Sequence, residues 1–251
     1  MKILIRLISA LLITISLIAL YIYGLNFGAD LKGGAMLEIT SLDSIEKIRS
    51  IIGYDVSVQA IYNTNNFIIT GNNLNNIKEQ LQGLTSVIIQ SENFISPKHG
   101  LDILINNFIG VLLSLIAMWC YMSIRFCVKY SNITVLALIH DCICTLGFYA
   151  LTGLEFTEYE LTGLIIIIGY SINATIIILD KIRDSNAQTE EEISIAVWAM
   201  FKRAMLTSGV VVLALSILSS AGGVFFHCSM PALIGTIIGT YSSISFTRYF
   251  I

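Results

Sequence analysis

The chain has 251 residues, 55% hydrophobic and only 12% charged, with a mean hydropathy of +0.80 and a formal net charge of −3. Soluble domains carry about 25% charged and roughly 45–50% apolar residues, so this composition excludes an ordinary soluble domain and requires lipid to face much of the surface. The small net charge, with no basic patch among interleaved aromatics, argues against a nucleic-acid partner.

Lys2 and Arg6 open an apolar run from Ile3 to Tyr23. At about 20 residues it is longer than a signal core. The stretch Tyr21 to Asn26 is bulky where a cleavage site needs small residues, so the run reads as a retained anchor. Residues 25–100 are polar and Asn-rich. Within them, strands are expected at Ala35–Thr40, Val56–Ile61, Phe67–Thr70 and Val87–Gln90. Helices are expected at Asp43–Ile52, with Asp43 or Ser44 as N-cap, and at Leu74–Leu84. Asn63-Thr64-Asn65-Asn66 is turn chemistry, and the resulting order βαββαβ is the split, ferredoxin-like arrangement.

Five more apolar runs follow at 104–124, 133–153, 161–179, 207–226 and 230–247. Each can cross about 30 Å of hydrocarbon. Arg125–Asn132 is a short basic link, Glu155–Glu160 a short acidic one, and Asp180–Arg203 a long link of mixed charge. Gly222-Gly223 through Pro231 reads as a tight hairpin. The expected fold class is a multi-pass α-helical membrane protein with six transmembrane helices and a small α+β domain. Its parts are a first helix at 1–24, the α+β domain at 25–100 and a five-helix transmembrane domain at 101–251. With the N-terminus inside, Lys2, Arg6, Arg125, Lys129, Lys181, Arg183, Lys202, Arg203 and Arg248 all face the cytoplasm, and both short outer links lack Lys and Arg.

The cysteines at 120, 127, 142, 144 and 228 lie in or beside apolar runs, which argues against a disulfide framework. Glu190-Glu191-Glu192 reads as a solvated helix start, and His99 and His227 as helix-end residues with surface or hairpin roles. No nucleotide, nucleophile-elbow or zinc-protease motif occurs. No cofactor and no enzymatic activity are expected.

Asp141 stands near the middle of the third run, where a carboxylate costs about 2.5–3.5 kcal/mol on insertion scales. Thr134, Asp141, Thr145 and Thr152 share one helix face, which points at other helices. The carboxyl is either a group that takes up protons or a hydrogen-bonded structural link. His140 lies about 100° around the helix from it and could accept protons or brace a neighbour. In the fourth run Gly169, Asn173 and Asp180 share a face, with Asn173 the nearest candidate to orient Asp141. Asp180, Lys181, Arg183 and Asp184 cluster at the membrane edge, as a relay or as an ordinary anchor. Gly33-Gly34 is a backbone device for a turn or a close approach.

Several of these segments carry a resemblance in chain order. They are Phe27-Gly-Ala-Asp30-Leu-Lys-Gly33-Gly34, Arg125-Phe126, Ala137-Leu-Ile-His140-Asp141, Thr145-Leu-Gly147, Gly153-Leu-Glu-Phe156, Gly169-Tyr-Ser-Ile-Asn173 and Gly235-Thr-Ile-Ile-Gly239-Thr-Tyr-Ser-Ser243. Together they resemble the SecF family, the smaller subunit of the SecDF protein-export complex within the resistance-nodulation-division superfamily. SecD shares the D-L-x-G-G motif but not the H-D pair, so the likeness to SecF is closer. Two departures stand out: Ala174 replaces the family's Asp after Asn, and Lys181 replaces the first Arg of D-R-I-R.

The resemblance implies a bacterial inner-membrane protein with both termini cytoplasmic and residues 25–100 periplasmic. It implies an accessory role in which proton-motive force assists export, and a proton relay through Asp141, His140, Asn173, Asp180, Lys181 and Arg183. Asp30, Gly33, Gly34, Gly169, Gly235 and Gly239 are implied as structural motif residues. The implied partners are SecD and the SecYEG translocon, with YajC and YidC as further candidates, besides secreted polypeptides and membrane lipids. A scaffold subunit without proton transfer and a small-solute proton antiporter are the alternatives.

Overall fold

A computed structural model describes residues 2–41, 43, 45–52, 57–60, 66–71, 78, 81, 87–186 and 189–250. In chain order the described elements are α1 (Lys2–Tyr23), β1 (Asn26–Phe27), α2 (Ala29–Lys32), β2 (Gly34–Ser41), α3 (Ile45–Ile52), β3 (Ser57–Ala60), β4 (Asn66–Gly71) and β5 (Val87–Ile95). They continue as α4 (Pro97–Arg125), α5 (Val128–Thr152), β6 (Glu155–Phe156), α6 (Glu158–Asp184), α7 (Glu190–Ser220) and α8 (Gly223–Phe250). Among the described residues, the five helices α4 to α8 are long and apolar enough to cross a membrane, and α1 adds a shorter apolar stretch, Leu7–Tyr23. The chain is a mostly helical, multi-pass membrane protein.

The helices are longer than the hydropathic runs within them, and local capping opens two of them beyond those runs. Thr157 and Glu160 form a reciprocal capping box that starts α6, and Thr189 and Glu192 do the same for α7. The glutamates at 190–192 therefore open a helix as expected. Three expected links are corrected. The basic link after Arg125 is already helical from Val128, and Lys202 and Arg203 lie within α7. The last hairpin is only the turn at Ala221-Gly222, and Pro231 sits inside α8. There its ring occupies the space left by Gly163 of α6, where any side chain would collide.

Helices α5, α6 and α8 pack as the centre of the bundle, with α1 against α5 and α4 and α7 at the periphery. Gly147 lets Ser16 of α1 come against α5, and Gly235 makes room for Ile167 of α6. Small residues matter here because lipid tails are as apolar as leucine, so helices associate through close packing.

The described strands β2 to β5 form a sheet of order β3-β4-β2-β5 with antiparallel pairings. Opposed pairs such as Leu37↔Ile69 and Ile39↔Phe67 present one apolar face. Ile48 and Ile52 of α3, with Leu81, complete a small core on it. Of the second expected helix, Leu74–Leu84, only Lys78 and Leu81 are described, both helical. Its other residues, the cap position 44 and the turn residues 63–65 lie outside the described residues.

The sheet is rooted in the bundle at one end. β1 and β6 pair in parallel, Asn26 with Glu155 and Phe27 with Phe156. Gly28 N donates to Phe156 O at 2.9 Å. Gly33 adopts φ 76°, ψ 152°, a backbone open to glycine alone among residue types, and this turns the chain from α2 into β2.

Candidate functional site

The carboxylate of Asp141 is fully buried midway along α5. Its Oδ2 accepts a hydrogen bond from Ser171 Oγ of α6 at 2.7 Å. Its Oδ1 lies 3.2 Å from His140 Nδ1. His140 is itself buried, with Nε2 3.4 Å from the Ser9 carbonyl of α1 and 3.6 Å from Cys144 Sγ. The Phe246 ring of α8 lies tilted against it, with centroids 5.5 Å apart. The hydroxyl lattice continues inward. Thr175 Oγ1 donates to Ser243 Oγ at 3.0 Å, and Ser243 Oγ reaches the Ser171 carbonyl at 3.3 Å.

Gly239 of α8 covers the carboxylate. A Cβ there would stand 2.8 Å from Ser171 Oγ and 3.2 Å from Asp141 Oδ2, so only glycine lets α8 close over this pair. Three helices thus enclose one carboxyl group in a pocket of hydroxyls. Ser171 and His140 are placed to hydrogen-bond its two carboxyl oxygens.

Thr134 and Thr145 are buried beside Asp141 as the stripe required, whereas Thr152 is exposed. The shared face of Gly169, Asn173 and Asp180 exists, but it is the outward face of α6. Asn173 and Gly169 are exposed, and nothing lies within 4 Å of a Cβ built at Gly169. Asn173 therefore does not orient Asp141; Ser171 does. Ser171 stands two residues earlier, and periodicity alone could not say which side of α6 meets α5. His140, expected on a separate face, does meet Asp141, because adjacent side chains can converge when both are buried.

Asp180, Lys181 and Arg183 are not at the site. Asp180 Oδ2 accepts from Arg125 Nη2 at 2.7 Å, and Arg183 Nη2 approaches Oδ1 at 3.4 Å. Both guanidinium groups lie over the Phe126 ring, at 5.4 and 5.5 Å. This cluster fastens the end of α4 to the end of α6. It lies about 13 Å along α6 from Ser171 at the usual rise per residue, so the geometry is that of the membrane-edge anchor.

The opposite end of the bundle carries a group that sequence reading placed in the short acidic link Glu155–Glu160. Glu160 is fully buried. Its Oε2 accepts from Thr157 N at 2.7 Å and from the Thr157 hydroxyl, and its Oε1 meets His227 Nδ1 at 2.5 Å. Next to it Asp30 Oδ2 accepts from Glu158 N at 2.6 Å. Burial, outweighing that hydrogen bond, holds the Asp30 carboxyl above the ordinary aspartate range.

Five long apolar helices, three of them packed around a buried carboxyl, define a multi-pass membrane protein. Comparison with known proteins then specifies the kind. The family "Protein export membrane protein SecD/SecF, C-terminal" matches residues 76–250, and the chain belongs to this SecD/SecF family. The SecF protein translocase subunit of Calditerrivibrio nitroreducens is 30% identical over 94% of this chain and 86% of its own length. That of Desulfurispirillum indicum is 29% identical over 94% and 84%. The crystal structure of SecDF, a translocon-associated membrane protein from Thermus thermophilus, superposes with a TM-score of 0.85 at 22% identity over 99% of this chain. This chain spans 37% of that longer one. SecDF in its super-membrane-facing form gives 0.68 at 21% identity.

Proposed function

We propose that the chain is the SecF-type half of a proton-driven accessory to the Sec translocase in the bacterial inner membrane. It works with SecD, beside SecYEG, on secreted polypeptides. In this reading α1 is the sixth span, both termini are cytoplasmic and residues 25–100 form a periplasmic domain. The strand order β3-β4-β2-β5 is that of a βαββαβ unit.

The observation that carries the reading is the fully buried Asp141 carboxylate, clasped by Ser171 of a second helix and roofed by Gly239 of a third. When Asp141 is protonated, its carboxyl is neutral and the three helices pack closely. On losing the proton it becomes a buried anion, and the helices must shift to admit water or a cation. Each proton that crosses is worth about 2.3 kcal/mol per 100 mV of membrane potential, enough to bias such a rearrangement. The root of the sheet at β1 and β6 would pass the movement to the periplasmic domain.

The test uses the full chain assembled with SecD and the translocon in sealed vesicles, following secretion as proton-motive force is varied. Asp141→Asn keeps the shape and the Ser171 contact but removes the titration, and should abolish the dependence on the gradient. If Asp141→Asn exports normally with the same dependence, the carboxyl is a structural link and the chain is a scaffold.

A further inference from the structure

We infer that Glu160 and His227 form a second proton-binding site, which sets how firmly the root of residues 25–100 is fastened to α6. The inference rests on the proposed function for its orientation, in which this end of the bundle faces the periplasm.

One turn of α6 carries both the pair and the fastening. Glu160 closes the capping box on Thr157. The adjacent Glu158 N–H is held by Asp30, and the Phe156 carbonyl by Gly28 N. Asn26 Nδ2 adds a bond to the Gly153 carbonyl at 3.2 Å. Any change in the charge of this turn therefore acts on the clamp directly.

With His227 protonated, the pair is a carboxylate and an imidazolium, neutral as a whole. When His227 releases its proton, Glu160 is left as a buried anion with only hydrogen bonds to hold it. The surroundings make that state unstable. Asp30 from α2 and Glu155 from β6 act on His227, and Glu158 acts on Asp30. Tyr149 of α5 and Cys228 of α8 face Glu160, and Tyr159 faces Asp30 and Glu158. Without the imidazolium, these carboxylates repel one another around a single helix start, and the part-buried Asp30 grip is the link that gives. Among the described residues the buried Tyr149 hydroxyl has no hydrogen-bond partner. It stands in the row Asp141, Thr145, Tyr149 along α5, so the site lies at the outer end of a line of polar side chains leading to Asp141.

The experiment uses the full chain assembled with SecD in vesicles, with labelling of the chain that carries no introduced cysteine subtracted as background. Lys32→Cys, at the exposed root, is labelled from outside with a membrane-impermeant maleimide while outer pH is varied between about 5 and 8, the range in which histidines titrate. The rate is normalised to that of Lys47→Cys, which is exposed on α3, to cancel the pH dependence of thiol reactivity. Normalised labelling should rise several-fold in one step as pH rises. It should be flat in His227→Gln, in Glu160→Gln and in the isosteric double variant, which guards against a fold defect from one unpaired partner. A step that persists in both single variants would belong to Asp30 and overturn the inference, as would a flat response of the unsubstituted pair. Asp141→Asn separates the two readings: it should lose gradient-driven export and keep the step.

Discussion

Ser171 Oγ stands 2.7 Å from Asp141 Oδ2 across the contact of α5 and α6, while Asn173 looks away from it. Removing the Ser171 hydroxyl deletes a hydrogen bond to a buried carboxyl, worth about 1.5–3 kcal/mol when that group is charged. Ser171→Ala should slow gradient-dependent export about tenfold or more and leave assembly intact. Asn173→Ala should leave the pH dependence of export unchanged. Secretion rates of the two variants at several proton-motive forces check the contrast; equal effects would disconnect Ser171 from the site.

Gly239 and Gly169 differ in what a methyl group would meet. At Gly239 it would press on Ser171 and Asp141, and at Gly169 it would meet open space. Gly239→Ala should destabilise the chain by about 1–3 kcal/mol, the usual cost of overpacking, seen as a lower thermal midpoint in detergent. Gly169→Ala should leave that midpoint unchanged. If it weakens co-purification with SecD, the outward face of α6 is where the partner packs.

The Arg125–Asp180 pair is part-exposed at the membrane edge, so its coupling should be small. A double-mutant cycle with Arg125→Gln and Asp180→Asn, read by thermal unfolding, measures it. Neither substitution should alter how export depends on the proton gradient. A changed dependence would return Asp180 to the relay.

Orientation is checked by labelling single introduced cysteines in intact cells. Lys47→Cys should react with an impermeant reagent from outside, and Ser185→Cys only after the membrane is opened. The reverse pattern would invert the proposed direction of proton flow.

Asp30 titrates above the ordinary aspartate range because burial outweighs its hydrogen bond from Glu158 N. The folded chain thus holds this proton to higher pH than the unfolded chain does. Stability must then fall as pH rises from the ordinary aspartate value through the raised one. The thermal midpoint should decline over that window, and Asp30→Asn should flatten the decline. A decline unchanged in Asp30→Asn would assign it to another carboxyl.

The amino-acid order alone determined where α4 to α8 lie, since the lipid-crossing requirement is a property of consecutive residues. It also determined the order of the strands, whose alternation and turns are local. Asp141 stood out for the same reason, as a charge at mid-run needs no partner to be seen as costly. Tertiary structure decided which residues meet. The period of α6 defines both the Ser171 side and the Asn173 side as stripes, and nothing within the helix says which one α5 will touch. Gly163, Gly235 and Gly239 let α8 close against α6 on the Ser171 side, a contact between helices far apart in sequence. Glu160 read as part of a short acidic link, with Glu155 and Glu158 beside it. It is buried because His227, 67 positions on, folds back beside it and supplies the partner that a buried carboxylate needs.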